Sequence, residues 1–186
     1  DGPSLEEQIL KANPVMEAFG NAKTTRNNNS SRFGKWTAVK FDASQTIIGG
    51  KIINYLLEKS RVVNQSENER NYHIFYQLFS SSRMREKYML TSPEKYRYLG
   101  VSGCFTADGV NDAKEFEDTQ RSMKMLGFTK DQQSWVFKTV AAILHLGSVR
   151  FKPCRIGNAE GCEVKSMKRL QKAADLLGVR VMMIDF

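Results

Sequence analysis

Residues 27–35 read Asn-Asn-Asn-Ser-Ser-Arg-Phe-Gly-Lys, so five polar uncharged side chains precede a guanidinium, an aromatic ring, a glycine and a lysine. Asn and Ser favour turns because their side chains compete for nearby backbone groups. Their amides and hydroxyls also suit phosphate oxygens and hard cations such as Mg²⁺. Arg32 adds a planar fork that can clamp a carboxylate or a phosphate. Composition alone favours a polar loop between two packed elements, with ligand binding as the alternative.

The residues before and after this loop predict two helices and then a β-hairpin. Ser4 and Glu7 have the spacing of a capping box, which starts a short helix. Pro14 cannot continue that helix, so we expect a second helix to begin at Asn13 and to end near Gly20. Residues 35–42 and 46–57 contain good β-formers and are joined by a short polar turn, which predicts an antiparallel hairpin over about 35–57. A bulge is expected at the glycine pair 49–50.

The second half of the chain, about residues 66–178, is predicted to be mainly helical. Ser66 with Glu69 and Thr129 with Gln132 have capping-box spacing. Four aromatic residues follow the first box at helical spacing and are expected to pack in the core rather than form a stacking surface. They are Tyr72, Phe75, Tyr76 and Phe79.

Three further segments complete this half. Residues 112–126 predict a helix that stops at Gly127, and residues 129–147 predict another, with Trp135, Val136, Val140, Ile143 and Leu144 as its buried stripe. Residues 152–161 contain one proline and two glycines, which predicts a loop. A last helix is expected to end at Gly178. The apolar residues 179–186 have no end signal, which suggests that the chain is truncated there or departs from its relatives.

Composition limits the classes of protein that fit. A chain of 186 residues is long enough for one domain with a sizeable core. A net charge of +8 suggests an acidic partner, such as a nucleic acid, an anionic lipid or a protein filament. The charge is scattered, which argues against nucleic acid. Three cysteines without a C-x-x-C pair argue against a zinc site or a disulfide framework and fit reduced thiols in the cytosol. No run of about 18 apolar residues predicts a transmembrane helix.

Several long blocks of the sequence, in order and spacing, strongly resemble the myosin motor domain. The blocks read ILKANP (9–14), EAFGNAKT (17–24), RNNNSSRFGK (26–35), YLLEKSRVV (55–63), ERNYHIFYQL (69–78) and ILHLG (143–147). The resemblance covers nearly the whole chain. It implies a P-loop NTPase-type motor head in which residues 27–35 are the nucleotide-sensing loop called switch I. The hairpin would belong to the twisted central sheet called the transducer, and residues 66–178 to the upper fifty-kilodalton subdomain.

The resemblance also implies roles for the residues of the loop. Asn27 would contact the phosphate side of ATP, and Ser31 would give its hydroxyl to Mg²⁺. Ser30 would lie beside the γ-phosphate and the attacking water as a catalytic residue. Arg32, the second catalytic residue, would pair with a glutamate of the second switch. The full set of residues expected to bind the nucleotide is Asn27, Asn28, Asn29, Ser30, Ser31 and Gly34.

Two motifs of the motor family are absent from these 186 residues: the phosphate-binding loop G-x-x-x-x-G-K-[ST] and the Asp-x-x-Gly-Phe-Glu of the second switch. Phosphoryl transfer needs positioning and charge stabilisation from several elements together. The resemblance implies an ATP-driven actin motor of the cytoplasm and cytoskeleton, and the missing motifs imply that this chain works there with the remaining motor-domain segments. Light chains bound to a neck are a further partner that the resemblance implies. The chain alone is not expected to hydrolyse ATP.

Two alternatives remain open at this stage. The chain could be a module without catalysis that uses its basic surface to bind actin or another acidic partner. Residues 152–165 are then the place to look, because the matching surface loop of myosins touches actin, although a solvated loop explains those residues equally well. A nucleic-acid-binding protein rests on charge alone and is the weakest alternative.

Overall fold

The computed structural model describes residues 4–156 and 159–181, which form a mixed, helix-rich structure. The helices are α1 Leu5–Gly20, α2 His73–Ser80, α3 Ser82–Lys87, α4 Arg97–Gly100, α5 Asp112–Met125, α6 Lys130–Gly147 and α7 Met167–Leu177. The strands are β1 Asn21–Ala22, β2 Ser30–Ser31, β3 Gly34–Phe41, β4 Ile47–Tyr55, β5 Phe151–Ile156 and β6 Ala159–Val164. They pair as three antiparallel two-stranded sheets, β1 with β2, β3 with β4 and β5 with β6.

Helix α2 is the centre of the core. All residues from His73 to Phe79 are buried, and α1, α3, α5 and α6 pack around the helix. The prediction that the aromatic residues form the core is confirmed, but the helix is buried on every side rather than on one face. The capping box expected at Ser66 is wrong: the helix begins at His73, and the carboxylate of Glu69 binds Arg61 at 3.0 Å instead.

Helix α1 corrects the prediction of two short helices. The capping box of Ser4 and Glu7 is present, but the helix continues through Pro14 to Gly20. A proline costs one backbone hydrogen bond and crowds the preceding turn. The helix is held on both sides of that point by packing against α5, α2 and β4, and such tertiary packing overrides the local preference.

Strands β3 and β4 form the predicted hairpin. Trp36 lies opposite Ile53, and the register shifts where Lys40 pairs with Gly49 and Phe41 with Ile47, so the irregularity adjoins the expected glycine pair. In the turn, Asp42 Oδ1 accepts hydrogen bonds from the backbone N–H groups of Ser44 and Thr46, both at 2.9 Å. Helix α1 packs against β4. The place of this hairpin in a larger transducer sheet stays a prediction.

The last third of the chain contains two confirmed predictions and two corrections. Helix α6 has the predicted capping box at Thr129, and α7 ends at Gly178, whose φ of 69° is left-handed. Trp135 is 66% exposed and Ile143 36%, so the buried stripe of α6 is narrower than expected. Within the span 152–161, which was expected to be a loop, residues 152–156 and 159–161 instead belong to the paired strands β5 and β6. Of the apolar tail, residues 182–186 lie outside the described residues.

In the described ranges no helix is long and apolar enough to cross a membrane, and the three cysteines are free thiols. No group of three or more His, Cys, Asp or Glu side chains in that part of the chain could hold a metal ion.

Candidate functional site

The chain leaves α1 at Gly20 and reaches the polar loop, residues 27–35, through β1. The short pair β1–β2 brings the two ends of this segment together. Asn21 lies opposite Ser31 and Ala22 opposite Ser30. The backbone N–H of Arg32 donates to the carbonyl of Gly20 at 2.8 Å. A Cβ on Gly20 would lie 2.3 Å from the ring of Phe33, so the two ends of the loop meet in direct contact. The loop therefore has a fixed base.

Two of the predicted ligand residues point toward the body of the protein. Asn28 Nδ2 donates to the carbonyl of Asp108 at 2.9 Å. Asn29 Nδ2 donates to Glu17 Oε2 at 3.1 Å, and Asn29 Oδ1 accepts from Asn21 Nδ2 at 3.0 Å. These amides use their hydrogen-bonding capacity to hold the loop down. Asn28 and Asn29 thus act as positioning residues in this structure.

Beneath Asn29 lies a buried histidine that sequence reasoning did not place in the site. His73 Nε2 lies 3.1 Å from Asn29 Oδ1, and because that oxygen is an acceptor the ring nitrogen donates. His73 Nδ1 lies 3.4 Å from a nitrogen of Arg70, which pairs with Asp112 at 2.7 Å. Burial, with the Arg70 charge as a second cause, lowers the pKa of His73 to about 4. The loop thus rests on a neutral imidazole.

The outer part of the loop presents hydroxyls and one amide. Asn27 and Ser31 are exposed, and Ser30 is half-buried. Ser30 Oγ accepts a hydrogen bond from Arg32 Nη1 at 3.2 Å, so its own proton is free to donate. Ser31 Oγ donates to the carbonyl of Phe33 at 3.1 Å, which leaves its lone pairs free. Gly34 follows at the start of β3, where a Cβ would meet the Tyr55 ring at 2.4 Å.

Arg32 has a carboxylate partner within this chain. Its Nε lies 2.6 Å from Glu58 Oε2, and the same oxygen accepts from Arg61 Nε at 2.8 Å. Arg61 in turn binds Glu69, whose other oxygen accepts from the backbone N–H of Thr25 at 3.3 Å. Burial raises the pKa of Glu58, but the hydrogen bonds from Arg32 and Arg61 outweigh it and hold the pKa below its ordinary value. Glu58 is therefore ionised at neutral pH.

Sequence reasoning placed the partner of Arg32 outside these residues and missed both Glu58 and His73. Glu58 is 26 residues from Arg32, and His73 is 44 residues from Asn29. Both lie within blocks that resemble myosins, residues 55–63 and 69–78, but no local spacing links them to the loop. Membership of these blocks was the available signal.

Comparison with known proteins gives consistent matches along the chain. The profile of the family described as "Myosin head (motor domain)" matches residues 1–185. The chain is 48% identical over 177 residues to Myosin-15 of Arabidopsis thaliana, covering 95% of this chain and 12% of that protein. It is 53% identical over 154 residues to the Myosin ID heavy chain of Dictyostelium discoideum, covering 82% of this chain and 14% of that protein.

A third relative, the Myosin IA heavy chain of Dictyostelium discoideum, is 47% identical over 186 residues, covering 97% of this chain and 18% of that protein. The chain therefore spans less than a fifth of the length of each of these three relatives.

Proposed function

The chain belongs to the myosin head (motor domain) family, and on that basis we propose that residues 27–35 sense ATP and Mg²⁺ in a motor that moves along actin. Members of this family have the P-loop NTPase-type motor fold, are generally ATPases and associate with the cytoskeleton. The proposed location is the cytoplasm. The remaining motor-domain segments, and light chains on a neck, are partners expected from the resemblance.

The observation that carries the proposal is the division of labour within the loop. Asn28 and Asn29 are tied through their side-chain amides to Asp108 and Glu17, while Asn27, Ser30 and Ser31 keep hydrogen-bonding groups that the contacts of the loop do not use. A plain solvated loop has no need of such a base. A loop that must meet a phosphate with fixed geometry does, because catalytic groups act only when they are held in place.

The outward groups fit the proposed ligands chemically. Mg²⁺ takes oxygen ligands, keeps several waters and is usually held by few protein groups. The free lone pairs of the Ser31 hydroxyl suit such a place. ATP bound here would supply the phosphoryl group. Asn27 would donate its amide to phosphate oxygens, and Ser30, oriented by Arg32, would position the attacking water. Gly34 would let the backbone turn tightly into β3 against Tyr55.

The direct test uses the full-length protein that contains these residues. Ser31→Ala should lower Mg²⁺-dependent ATP turnover by at least roughly tenfold, since even indirect supports of a metal ligand are worth that much. Ser82→Ala, which alters an exposed serine at the start of α3, is the matched control and should leave turnover unchanged. Equal rates for Ser31→Ala and the unmodified protein would remove Ser31 from the site. The 186 residues alone should show only background hydrolysis.

A second test addresses Arg32. From the resemblance, Arg32 closes the site by pairing with a glutamate of the second switch, which these residues do not contain. Arg32→Glu should then slow hydrolysis by roughly 100-fold or more while ATP affinity is largely kept, because breaking one partner of a buried pair costs about 3–5 kcal/mol. Single-turnover hydrolysis and ATP binding, measured separately, check this. An equal loss in both would instead make Arg32 a phosphate ligand.

A basic groove at the foot of the β5–β6 hairpin favours a second function, binding of an acidic partner such as actin without catalysis. The cations that line this groove are Lys95, Arg97, Arg150, Lys165 and Arg169, with Glu94 as the one carboxylate of its lining. Salt-dependent co-sedimentation with actin filaments, unaffected by nucleotide, would support this alternative. Arg150→Glu should weaken it, and Arg83→Glu, an equal charge change outside the groove, should not.

A further inference from the structure

Glu58 connects the polar loop to the body of the protein through two arginines that differ in how firmly they are held. Its Oε2 accepts from Arg32 Nε at 2.6 Å and from Arg61 Nε at 2.8 Å. The Arg61 side chain is 6% exposed, whereas that of Arg32 is 29% exposed. One carboxylate oxygen is thus shared by a buried and a more accessible guanidinium.

Removing Arg61 from this arrangement would cost a large free energy. Its Nη1 also donates to Glu69 Oε2 at 3.0 Å and to the carbonyl of Arg70 at 3.2 Å. A buried guanidinium that loses its partners carries a large desolvation cost. Arg61 is therefore the permanent partner of Glu58.

The Arg32 side chain makes fewer hydrogen bonds than that of Arg61. Besides Glu58, its side chain makes one further bond among the described residues, the 3.2 Å bond from Nη1 to Ser30 Oγ. If Arg32 moves away, Glu58 keeps the hydrogen bond from Arg61 and is not left as an unpaired buried charge. The cost of releasing Arg32 is consequently small, since a partly exposed ion pair contributes about 0–1 kcal/mol.

We propose that Glu58 is a positioning residue that binds Arg32 while the site is open and gives it up when the site closes. Arg61 is the fixed partner that keeps the Glu58 carboxylate in place when Arg32 departs. The inference rests on the proposed function, in which Arg32 must reach another carboxylate to close the site. Glu58 then competes with closure. It also sets where Ser30 lies before closure, because Arg32 bridges Glu58 and the Ser30 hydroxyl.

The kinetic experiment is a double-mutant cycle in the full-length protein. Glu58→Gln should speed single-turnover hydrolysis of Mg²⁺·ATP by roughly two- to fivefold, the equivalent of removing a partly exposed ion pair from the competing state. In an Arg32→Ala background the same substitution should change nothing, because Glu58 acts only through Arg32. Glu58→Asp, which keeps the carboxylate, should restore most of the original rate.

A nucleotide-free readout follows the contact itself. Trypsin cleavage after Arg32, divided by cleavage after the exposed Arg26 of the same loop, should rise in Glu58→Gln. Glu67→Gln, an equal charge change at an exposed position, should not alter the ratio. This ratio does not depend on catalysis, so it tests the contact between Glu58 and Arg32 even if the full-length protein fails to turn over ATP. Failure of ATP turnover would overturn the proposed function but not this contact.

Either of two results would overturn the inference. One is an effect of Glu58→Gln that persists unchanged in the Arg32→Ala background. The other is a slower hydrolysis in Glu58→Gln together with an unaltered cleavage ratio, which would make Glu58 a structural support of Arg61. Circular dichroism of each variant establishes that the fold is kept before the rates are compared.

Discussion

The two long hairpins have the same local architecture, but one exposes apolar side chains and the other exposes a charged pair beside its apolar residue. On β3–β4, Trp36 is 64% exposed and its cross-strand partner Ile53 46%. On β5–β6, Phe151 is 61% exposed, and the next pair along is Lys152 with Glu163, joined by an ion pair at 2.5 Å. Antiparallel pairing alone does not decide whether a hairpin can face water.

The difference suits the two hairpins to different surroundings. A two-stranded sheet has unpaired edges that can hydrogen-bond to further strands, and its exposed apolar side chains favour burial against other segments. The β3–β4 hairpin, which follows the polar loop directly, therefore fits a sheet completed by other segments, so that movement of the loop can reach that sheet. The β5–β6 hairpin carries charges opposite one another, which suits a projection into solvent or toward an acidic partner.

The largest effect expected from this contrast is on self-association of the 186-residue chain. Trp36→Lys together with Ile53→Thr should weaken association by roughly 100-fold or more, because burying each large apolar side chain is worth about 1.5–3 kcal/mol. Phe151→Lys should weaken it far less, since Arg150 and Lys152 on either side of it along the chain are charged. Sedimentation velocity across a concentration series measures both. If Phe151→Lys had the larger effect, the assignment of the two surfaces would be reversed.

The sequence predicted this contrast only in part. The polar turn at Asp42 and the β-formers around Trp36 marked the first hairpin clearly. Pro153, Gly157 and Gly161 in the second have the composition of a loop. Proline is tolerated on an edge strand, and both strands of a two-stranded sheet are edges, so the loop signal did not prevent pairing. The decisive interaction is between strands, where single-sequence patterns carry little information.

The same limit explains the outcome for the site. Residue types predicted only a polar loop, and its role in nucleotide sensing came from the resemblance to myosins. The capping box at Thr129 and the stop at Gly178 were found from local chemistry. Pro14 and Trp135 were misjudged because packing of the whole helix, not local preference, fixes their surroundings. Glu58 and His73 support the loop from distant positions, and nothing in local spacing joins them to it.

Acid should loosen helix α2 and the polar loop that rests on it, by way of His73. With a pKa of about 4 in the fold and about 6.5 when unfolded, the unfolded state takes the proton more readily. Stability is therefore complete above about pH 6.5 and falls as the pH drops toward 4, by roughly 3 kcal/mol in all. Hydrogen exchange of the α2 amides in the full-length protein, corrected for intrinsic rates, should report this.

His73→Gln is the control for the acid prediction, because it removes the titrating ring but keeps an amide donor for Asn29. Glu58, whose pKa is lowered, also loses stability as the pH falls, so the difference between the two proteins isolates the histidine. The same pH dependence in both would exclude His73 as the cause.

Close packing at the start of β3 gives a smaller effect within the first hairpin. A Cβ on Gly34 would lie 2.4 Å from the Tyr55 ring, so Gly34→Ala should cost about 1–3 kcal/mol of stability, as overpacking typically does. Gly49→Ala is the matched control in the partner strand, where the nearest atom is 4.0 Å away. Thermal unfolding of the full-length protein compares them. Equal melting temperatures would mean that the Tyr55 ring moves aside freely.

The smallest effect is expected at the ion pair of the second hairpin. Lys152 and Glu163 have side chains that are 54% and 53% exposed, and water and salt screen such a pair while holding two long side chains costs entropy. Hydrogen bonding to Glu163 raises the pKa of Lys152, yet Glu163→Gln should leave thermal unfolding of the full-length protein unchanged within error at physiological salt. A melting temperature that falls clearly, and falls less at 1 M salt, would show that this hairpin needs its charges for stability. The contrast with β3–β4 would then lie in the kind of interaction that holds each hairpin rather than in what each one exposes.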